Sequence, residues 1–421
     1  MKSAFRRSVA GAILPVPIAA ALTLSSWGQP NYFQLEQVGY CPWPASHAPL
    51  TATVQGTHVF VIDEGGGLVS ADVGDPSHPT PLARWDSGGV LMDLALAGNR
   101  AYLAAGDQGL HIVDIADPTR LTRVGGYVPG GFVFAVDGAV DRAYVAWQTR
   151  GSGDPQPGVQ VDIVDTTDAA QPRRLGLIAL PYDNGYGRDV HVAGEILYIA
   201  ADALYSFNVS DPAHPVRSGM TILPIHSAAR LARLRIADGR AYALYQARFS
   251  GSLGIYDAPS SIDSYYLYAF WPTQGNAADF WAHGRYVFLA DSPFSFQAPP
   301  PDRVVVLNAT DPFHPFQVGQ LGLPPDAGRS RFIRTLDDYI YVGTDLGLVI
   351  LKTAKEPAFL RSSQVGTNRL GLVCNDVEGL RVERSWNLIN PVWQNLGAIN
   401  PNEELLVSTE RGQAFFRLVK P

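Results

Sequence analysis

Cysteine and charge are both scarce in this sequence. Its 421 residues include two cysteines, Cys41 and Cys374, and three methionines. A single possible disulfide excludes the disulfide-dense scaffolds that hold small secreted domains together. Only 17% of the residues are charged, the formal net charge is −7, and basic residues form no long run. A nucleic acid is therefore not expected as a partner, and neither is an anionic membrane surface.

The short motifs that identify common enzymes and cofactor sites are absent as well. The sequence contains no phosphate-binding glycine loop, no His-Glu-x-x-His, no Cys-x-x-Cys and no Gly-x-Ser-x-Gly. Each of these motifs places a reactive or ligand-binding group in a defined turn or helix. We therefore predict no cofactor and no metal, and a catalytic role is less favoured than a binding role.

The N-terminus has the pattern of a secretory signal peptide. Three basic residues precede an apolar run over residues 9–24, and small residues stand before a cut after Gly28. We predict that residues 1–28 are removed and that the mature chain, with 29 basic and 39 acidic residues, carries about −10. The predicted location is secreted or cell-envelope. No later segment is long and apolar enough to span a bilayer, so no membrane span is expected after removal of the signal.

One unit of sequence recurs along the chain. In its clearest copy a β-branched run, Leu110-His111-Ile112-Val113-Asp114, is followed by an Asp-Pro corner and a second apolar run. The corner recurs every 42 to 51 residues, at Asp75, Asp117, Asp168, Asp211, Ser260, Asp311 and Lys355. Two further β-rich segments, the second centred on an aromatic residue, precede each corner unit. Four strands at this period predict a propeller blade.

Seven copies predict an all-β fold, a seven-bladed β-propeller of four-stranded blades over residues 31–365. Residues 34–40 resemble the last strand of the repeat but precede the first copy, so we expect them to pair with the last blade and close the ring. The seventh copy is expected to end at residue 365. Residues 366–421 alternate short strands and turns, which predicts a small β-sandwich-like C-terminal module.

The repeats resemble the LVIVD repeat of bacterial secreted and surface proteins, through Leu110-His111-Ile112-Val113-Asp114 and the Asp-Pro that follows. The resemblance covers roughly residues 34–365. It implies a β-propeller that is exported and that often has no assigned activity. The C-terminal module is similar to short terminal modules of other secreted bacterial proteins, which end in an aromatic-Arg-Leu-Val strand.

The first strand of each blade lines the axial channel of a propeller, and its polar residues are the candidate site. Counting back from the aromatic strand, with turns two residues shorter allowed in the sixth and seventh copies, places seven residues at one level: Thr51, Asp93, Ala135, Asp189, Arg233, Asp279 and Arg334. One interpretation is a set of ion pairs and hydrogen bonds that hold neighbouring blades together. The other is a ligand site at the channel mouth, with Arg188, His191, Arg230 and Arg235 nearby.

The Asp-Pro-x-His-Pro corners offer an alternative site, because they repeat a histidine at His78, His214 and His314. These histidines occupy the same corner of separate blades, so they are interpreted as turn residues and not as ligands of one metal. A cluster of aromatic residues at 265–271 and 280–281 is interpreted mainly as blade core. Any exposed member would suit stacking on a sugar or anchoring a protein.

The favoured function is a non-catalytic binding or scaffold protein with a protein or glycan partner at the cell envelope, and the protein is expected to be a monomer. Connecting loops at residues 151–157, 182–188, 246–252 and 294–302 differ most between copies and are the expected contact surface. The alternative is a polysaccharide lyase or glycoside hydrolase that uses polar channel residues. Free carboxylates in the channel would favour the enzyme, and carboxylates bonded to neighbouring blades would not.

Ring closure brings the segment after the closing strand near the segment after the seventh blade. Cys41 and Cys374 lie in these two segments. We therefore predict that they form a disulfide in an oxidising compartment.

Overall fold

A computed structural model of the chain describes residues 35–43, 47–149, 158–180, 189–201, 203–222, 230–246, 251–257, 267–273, 275–293 and 301–353, and six strands between residues 360 and 419. Strands are the only long regular elements in these residues. No helix in this part of the chain is long and apolar enough to cross a membrane. The predicted signal peptide, residues 1–28, lies outside the described residues.

The first strand in the chain, β1 (Leu35–Pro42), precedes blade 1. Each blade is an antiparallel sheet whose strands follow one another from the channel outward. Blade 1 consists of β2 (Pro49–Gln55), β3 (His58–Asp63), β4 (Gly67–Asp72) and β5 (Thr80–Asp86). Blade 2 consists of β6 (Asp93–Ala97), β7 (Arg100–Ala104), β8 (Leu110–Asp114) and β9 (Thr122–Tyr127). Blade 3 consists of β10 (Phe132–Ala139), β11 (Arg142–Gln148), β12 (Val159–Asp165) and β13 (Arg173–Ala179). Blade 4 consists of β14 (Asp189–Ala193), β15 (Ile196–Ala200), β16 (Ala203–Asn208) and β17 (Val216–Ile222).

Two more blades repeat this order. Blade 5 consists of β18 (Arg230–Ala237), β19 (Arg240–Gln246), β20 (Gly251–Asp257) and β21 (Leu267–Thr273). Blade 6 consists of β22 (Gly275–His283), β23 (Tyr286–Pro293), β24 (Arg303–Asn308) and β25 (Phe316–Gly322). Blade 7 contains β26 (Ser330–Leu336), β27 (Tyr339–Thr344) and β28 (Gly347–Thr353), and β1 is its fourth strand. Each first strand contacts the first strands of both neighbours, β2 and β26 included, so the ring is closed. The predicted seven-bladed propeller is confirmed.

The hydrophobic core lies between blades. Seven clusters of buried residues each combine side chains from two adjacent blades, including one cluster between blades 7 and 1. The second and third strands of each blade are covered on both faces by the neighbouring blades, as in β7, where Tyr102 and Leu103 are fully buried. This explains why these strands are apolar without alternation. The fourth strands, such as β9, are more exposed.

Ring closure follows the predicted route. The strand β1 pairs antiparallel with β28, with Tyr40 opposite Val349 and Cys41 opposite Leu348. Next to it, the indole nitrogen of Trp43 donates a hydrogen bond to the Thr344 carbonyl oxygen at 3.0 Å. The N-terminal strand therefore completes blade 7 and joins the two ends of the propeller.

The same closure changes the expected course of the seventh copy. Its predicted last strand corresponds to β29 (Leu360–Gln364), which pairs with β30 (Arg369–Cys374) and not with β28. The reason is geometric, since β1 already occupies the free edge of β28. Strand pairing within the propeller therefore ends at Thr353, before the predicted boundary at residues 365/366, and the division of the chain into domains stays a prediction.

Beyond β30 the described segments are four more strands. They are β31 (Leu380–Ser385), β32 (Gln394–Ile399), β33 (Glu404–Ser408) and β34 (Phe415–Val419). They form two three-stranded sheets with the orders β29-β30-β33 and β32-β31-β34. The two sheets agree with an all-β C-terminal module, and their packing as a sandwich stays a prediction.

The outer parts of neighbouring blades meet where a fourth strand carries glycine. A Cβ at Gly125 in β9 would overlap the carbonyl oxygen of Ala169 in the corner of blade 3. Gly39 in β1 faces the carbonyl oxygen of Pro76, in the corner of blade 1, in the same way. Only glycine permits this approach of two backbones, and the shared contact identifies β1 as a true fourth strand.

Candidate functional site

The channel residues predicted from the sequence lie at one level of the innermost strands. We call this the mouth level, because it is the end of each first strand that adjoins the connection between the second and third strands. Each residue pairs with the same position of the second strand: Thr51 with Ile62, Asp93 with Ala104, Ala135 with Ala146, Asp189 with Ala200, Arg233 with Leu244, and Asp279 with Ala290. Arg188 lies outside the described residues.

The predicted level is wrong for Arg334. The mouth-level residue of blade 7 is Phe332, which pairs with Gly343, and Arg334 pairs with Tyr341 two residues farther on. A Cβ at residue 343 would overlap the Phe332 ring, so the glycine makes room for this ring in the core. A register shift just before the mouth level is present in blade 7 and equally in blades 1, 3, 5 and 6, so it is not the reason for the difference. The count reached Arg334 because it allowed a turn two residues shorter between the first two strands of this blade. That turn, between Leu336 and Tyr339, is as long as the turn between Ala97 and Arg100 in blade 2.

Arg334 belongs to a second ring of residues, which we call the inner level. In every blade these residues lie two positions beyond the mouth level and pair with the aromatic residue of the second strand. They are Thr53, Ala95, Asp137, His191, Arg235, Trp281 and Arg334. The strand period of two places both levels on the same side of each first strand.

The mouth-level carboxylates join neighbouring blades. Asp93 Oδ2 accepts a hydrogen bond from the backbone N–H of Val136 in blade 3, at 3.0 Å. In the same way, Asp189 Oδ2 accepts from Leu234 N in blade 5 at 3.0 Å. The same bond recurs in blade 6, where Asp279 Oδ2 accepts from Ile333 N of blade 7 at 3.3 Å. The inter-blade interpretation of these three carboxylates is confirmed.

Blade 3 makes the equivalent bond from the inner level. It carries Ala135 at the mouth level, and Asp137 Oδ2 accepts from Val192 N of blade 4 at 2.8 Å. The same oxygen lies 3.3 Å from Nδ1 of His191. The sequence count missed Asp137, although its position two residues from Ala135 on a predicted strand was a usable signal.

Arg334 binds three blades at once. Its Nη1 donates to Asp279 Oδ2 in blade 6 at 2.5 Å, and its Nε donates to the Ala52 carbonyl oxygen in blade 1 at 2.6 Å. Nη2 donates to Thr51 Oγ1 at 2.7 Å. The side chains of Arg334 and Asp279 are 3% and 1% exposed, so this is a fully buried ion pair. It lies where blades 7 and 1 close the ring.

Two guanidinium groups approach one indole. The Cζ atoms of Arg235 and Arg334 lie 5.3 and 4.7 Å from the centroid of Trp281. Arg235 Nη1 also donates to Asp189 Oδ2 at 3.4 Å. Trp281 therefore forms cation–π contacts with both neighbours on the inner level. The adjacent Phe280 is fully buried, as expected for blade core.

Burial and charge act on these groups in opposite directions. Burial, assisted by the charge of Asp189, raises the pKa of Asp93 to about 6. Burial also opposes ionisation of Asp279, but Arg334, Arg233 and Arg235 outweigh it and lower the pKa of Asp279. For Arg334, burial is the dominant cause and lowers the pKa to about 10.

Burial and the charge of the partner also oppose each other in the Asp137–His191 pair. Burial raises the pKa of Asp137 and lowers the pKa of His191, although each partner acts against the shift of the other. Burial opposes the charge of Arg235 too, but the surrounding carboxylates raise its pKa.

The charges of the channel are divided between its two sides: blades 2 to 4 carry the carboxylates Asp93, Asp137 and Asp189, and blades 5 to 7 carry the arginines Arg233, Arg235 and Arg334 around Asp279. Such a site can bind groups of both signs.

The corner histidines do not form a common site. Each Nδ1 lies close to the aspartate of its own corner: His78 at 3.0 Å from Asp75, His214 at 2.8 Å from Asp211, and His314 at 2.8 Å from Asp311. Their interpretation as turn residues is confirmed. Across the described parts of the chain, no group of three or more His, Cys, Asp or Glu residues could hold a metal ion.

Cys41 is buried with a free thiol, and burial raises its pKa. Cys374 lies in β30, and its side chain is outside the described residues. The disulfide between them stays a prediction.

Comparison with known proteins supports the repeats and the fold. The LVIVD repeat family matches residues 52–86, 88–128 and 184–221, and each match spans the four strands of one blade, namely blades 1, 2 and 4. The chain therefore carries LVIVD repeats. No curated protein sequence matches significantly.

Among solved structures, the Cps50 (Swd1) β-propeller domain of Myceliophteria thermophila is similar at a TM-score of 0.56 and 12% identity, over 76% of this chain and 100% of that one. BamB from Moraxella catarrhalis gives a TM-score of 0.46 and 10% identity, over 77% of this chain and 99% of that one. The likeness to Cps50 supports the propeller fold alone.

Proposed function

We propose that this propeller of LVIVD repeats is an exported, non-catalytic protein that binds a protein or glycan partner at the cell envelope. Its contact surface is one face of the disc, which we call the mouth face. This face carries the mouth level of the channel, the connections between second and third strands, and the connections that enter each blade. We also propose that the protein is a monomer, because β1 supplies the fourth strand of blade 7 and no blade needs a strand from a second copy.

The state of the channel carboxylates is the observation that carries the non-catalytic proposal. A glycosidase needs two carboxyl groups free to reach the sugar, one as acid and one as base or nucleophile. Here Asp189 and Asp279 are buried, and each is bonded to a backbone N–H and an arginine. These bonds stabilise the ring and leave the two groups unsuited to proton transfer. The lyase or hydrolase alternative is therefore less well supported.

Loop length supports the choice of face. In blades 1, 4 and 7 the second and third strands follow each other closely, as from Asp63 to Gly67 in blade 1. In blade 3 the connection runs from Gln148 to Val159, and in blade 6 it runs from Pro293 to Arg303. The sequence also suggested a long loop in blade 5, but that connection is shorter than the one in blade 2. On this face the blades therefore differ most in the length of the connections 149–158 and 294–302, which are outside the described residues except at their ends.

The test replaces both long connections by the three-residue connection of blade 1 in the mature chain. Binding to a glycan array and to purified envelope proteins is then compared with that of the unmodified chain. We expect an unchanged melting temperature and a loss of binding, because the connections lie outside the paired strands. The matched control is His78→Ala at an exposed corner on the opposite face, which should bind normally.

Binding that survives the double replacement would contradict the proposed surface. Binding lost on Asp93→Asn alone would move the site to the channel. Export is tested separately by mass spectrometry of the protein recovered from its native compartment, where the mature chain should begin after Gly28. An intact N-terminus would contradict the exported location.

A further inference from the structure

The charges of the channel can be paired one by one. Arg334 pairs with Asp279, and Arg235 approaches Asp189 at 3.4 Å. His191 lies against Asp137 at 3.3 Å. Among the channel residues that the structure describes, this leaves Asp93 without an ion pair and Arg233 with only a long one, 3.8 Å from Nε to Asp279 Oδ1, on a carboxylate that Arg334 already holds at 2.5 Å.

Arg233 has unused hydrogen-bonding capacity. Its Nη1 donates only to the carbonyl oxygen of the adjacent Ala232, at 3.4 Å, and its Nε lies 3.8 Å from Asp279 Oδ1, beyond a good hydrogen bond. Its side chain is 30% exposed, the largest exposed fraction of the three channel arginines. Because the residue lies on an innermost strand, this exposed part borders the channel. A guanidinium with free donors is well suited to a carboxylate.

The second group is the carboxylate of Asp93. It accepts one hydrogen bond, from Val136 N at 3.0 Å, and no ion pair within the described residues includes it. The charge of Asp189 disfavours its ionised form, while Arg233 and Arg235 favour it more weakly. An ammonium group placed beside Asp93 would compensate this buried charge.

Asp93 and Arg233, the two weakly paired groups, share one level of the ring. Asp93 pairs with Ala104 and Arg233 with Leu244, which are equivalent positions in blades 2 and 5. Blades 2 and 5 stand on opposite sides of a seven-membered ring. We infer that the channel mouth binds a small zwitterionic ligand, with its carboxylate on Arg233 and its ammonium group on Asp93.

The rest of the channel explains why a single charge would bind less well. A simple anion would gain Arg233 but would also experience Asp93, Asp137 and Asp189. A simple cation would meet the three arginines of blades 5 to 7. A molecule with separated charges matches both sides, and its length must match the span between them. This inference concerns a small ligand in the channel and is independent of the partner proposed for the mouth face.

The test uses ω-amino acids as a molecular ruler. Glycine, 3-aminopropanoate, 4-aminobutanoate and 6-aminohexanoate are titrated into the mature protein at pH 7.5 by isothermal titration calorimetry. We expect saturable binding with an optimum at one chain length. Hexanoate and hexylamine, each with one charge, should bind at least about tenfold more weakly than the best zwitterion, since each lacks one charge-assisted hydrogen bond.

Variants assign the two ends of the ligand. Asp93→Asn keeps an oxygen for Val136 N–H but removes the charge. Arg233→Gln removes one weak hydrogen bond and one long ion pair to Asp279, which keeps its closer partner Arg334, so both variants should fold. Each should weaken binding of the best zwitterion at least about tenfold. Asp75→Asn, at an exposed corner, is the control and should bind normally. Melting curves recorded for each variant establish that the ring is intact.

Three results would overturn the inference. The first is no binding of any member of the series by the unmodified protein. The second is equal binding of hexanoate and the zwitterions, together with no effect of Asp93→Asn, which would indicate a simple anion site. The third is undiminished binding in the Arg233→Gln variant.

Discussion

Replacing Arg334 tests whether the channel ion pairs hold the ring together. Arg334→Met keeps a long side chain beside Trp281 but removes the hydrogen bonds to Asp279, Ala52 and Thr51. It leaves the Asp279 carboxylate, with a side chain that is 1% exposed, without its closest partner. Breaking a buried pair from one side costs about 3–5 kcal/mol. We expect a loss of this size in the free energy of unfolding, measured by urea titration at pH 7.

The control lies on the same strand. Arg331 also pairs with a carboxylate, Asp345, at 2.6 Å, but the two side chains are 36% and 30% exposed. Water screens such a pair, so Arg331→Gln should cost no more than about 1 kcal/mol. Adding Asp279→Asn to Arg334→Met removes the unpaired charge and should recover part of the loss. Equal costs for Arg334→Met and Arg331→Gln would refute the role of the buried pair in closing the ring.

The pKa of Asp93, raised to about 6, predicts a dependence of stability on pH. A raised pKa means that the folded state holds the proton more tightly than the unfolded chain, so this contribution to stability is present below about pH 4 and lost as pH rises through about 6. Asp93→Asn should therefore gain more stability relative to the unmodified protein at pH 8 than at pH 4, and an equal difference in melting temperature at both pH values would contradict this. Gly39→Ala should lower the melting temperature far more than Gly322→Ala, because only the first Cβ would overlap the next blade; similar melts would argue against β1 as a closing strand. Peptide mapping without reducing agent should recover Cys41 joined to Cys374, and two free thiols in exported protein would end the disulfide prediction.

The seven-bladed ring could be predicted from short-range sequence patterns. Asp-Pro corners and β-branched runs form turns and strands through short-range preferences, and their period counts the blades. The closing strand was also recognisable, because Gly39 and its neighbours repeat the pattern of a fourth strand. The seventh blade was only partly predicted, since β29 has a suitable sequence but competes with β1 for one edge. Which of them pairs with β28 is decided by the closure of the whole ring.

The candidate site shows the same division. Alternation along a strand placed Asp93, Asp189, Arg233 and Asp279 at one level, and the structure has them there. Arg334 lies at the inner level because the turn between β26 and β27 is as long as in the other blades, and the same count from Tyr341 would have given Phe332. Asp137 was missed because the count stopped at Ala135.

The sequence by itself determined the number of blades, the order of the strands and the identity of the polar residues on the inner strands. These depend on short-range backbone preferences and on a period that survives in seven unequal copies. Tertiary structure alone decided the partners: Asp279 pairs closely with Arg334, and Asp189 contacts Leu234 and Arg235. It also left Arg233 with only a long ion pair to Asp279 and Asp93 with a backbone hydrogen bond and no ion pair among the described residues. Residues more than 40 positions apart meet only when seven blades close around one axis, and the energy of a buried charge depends on which groups that closure places beside it.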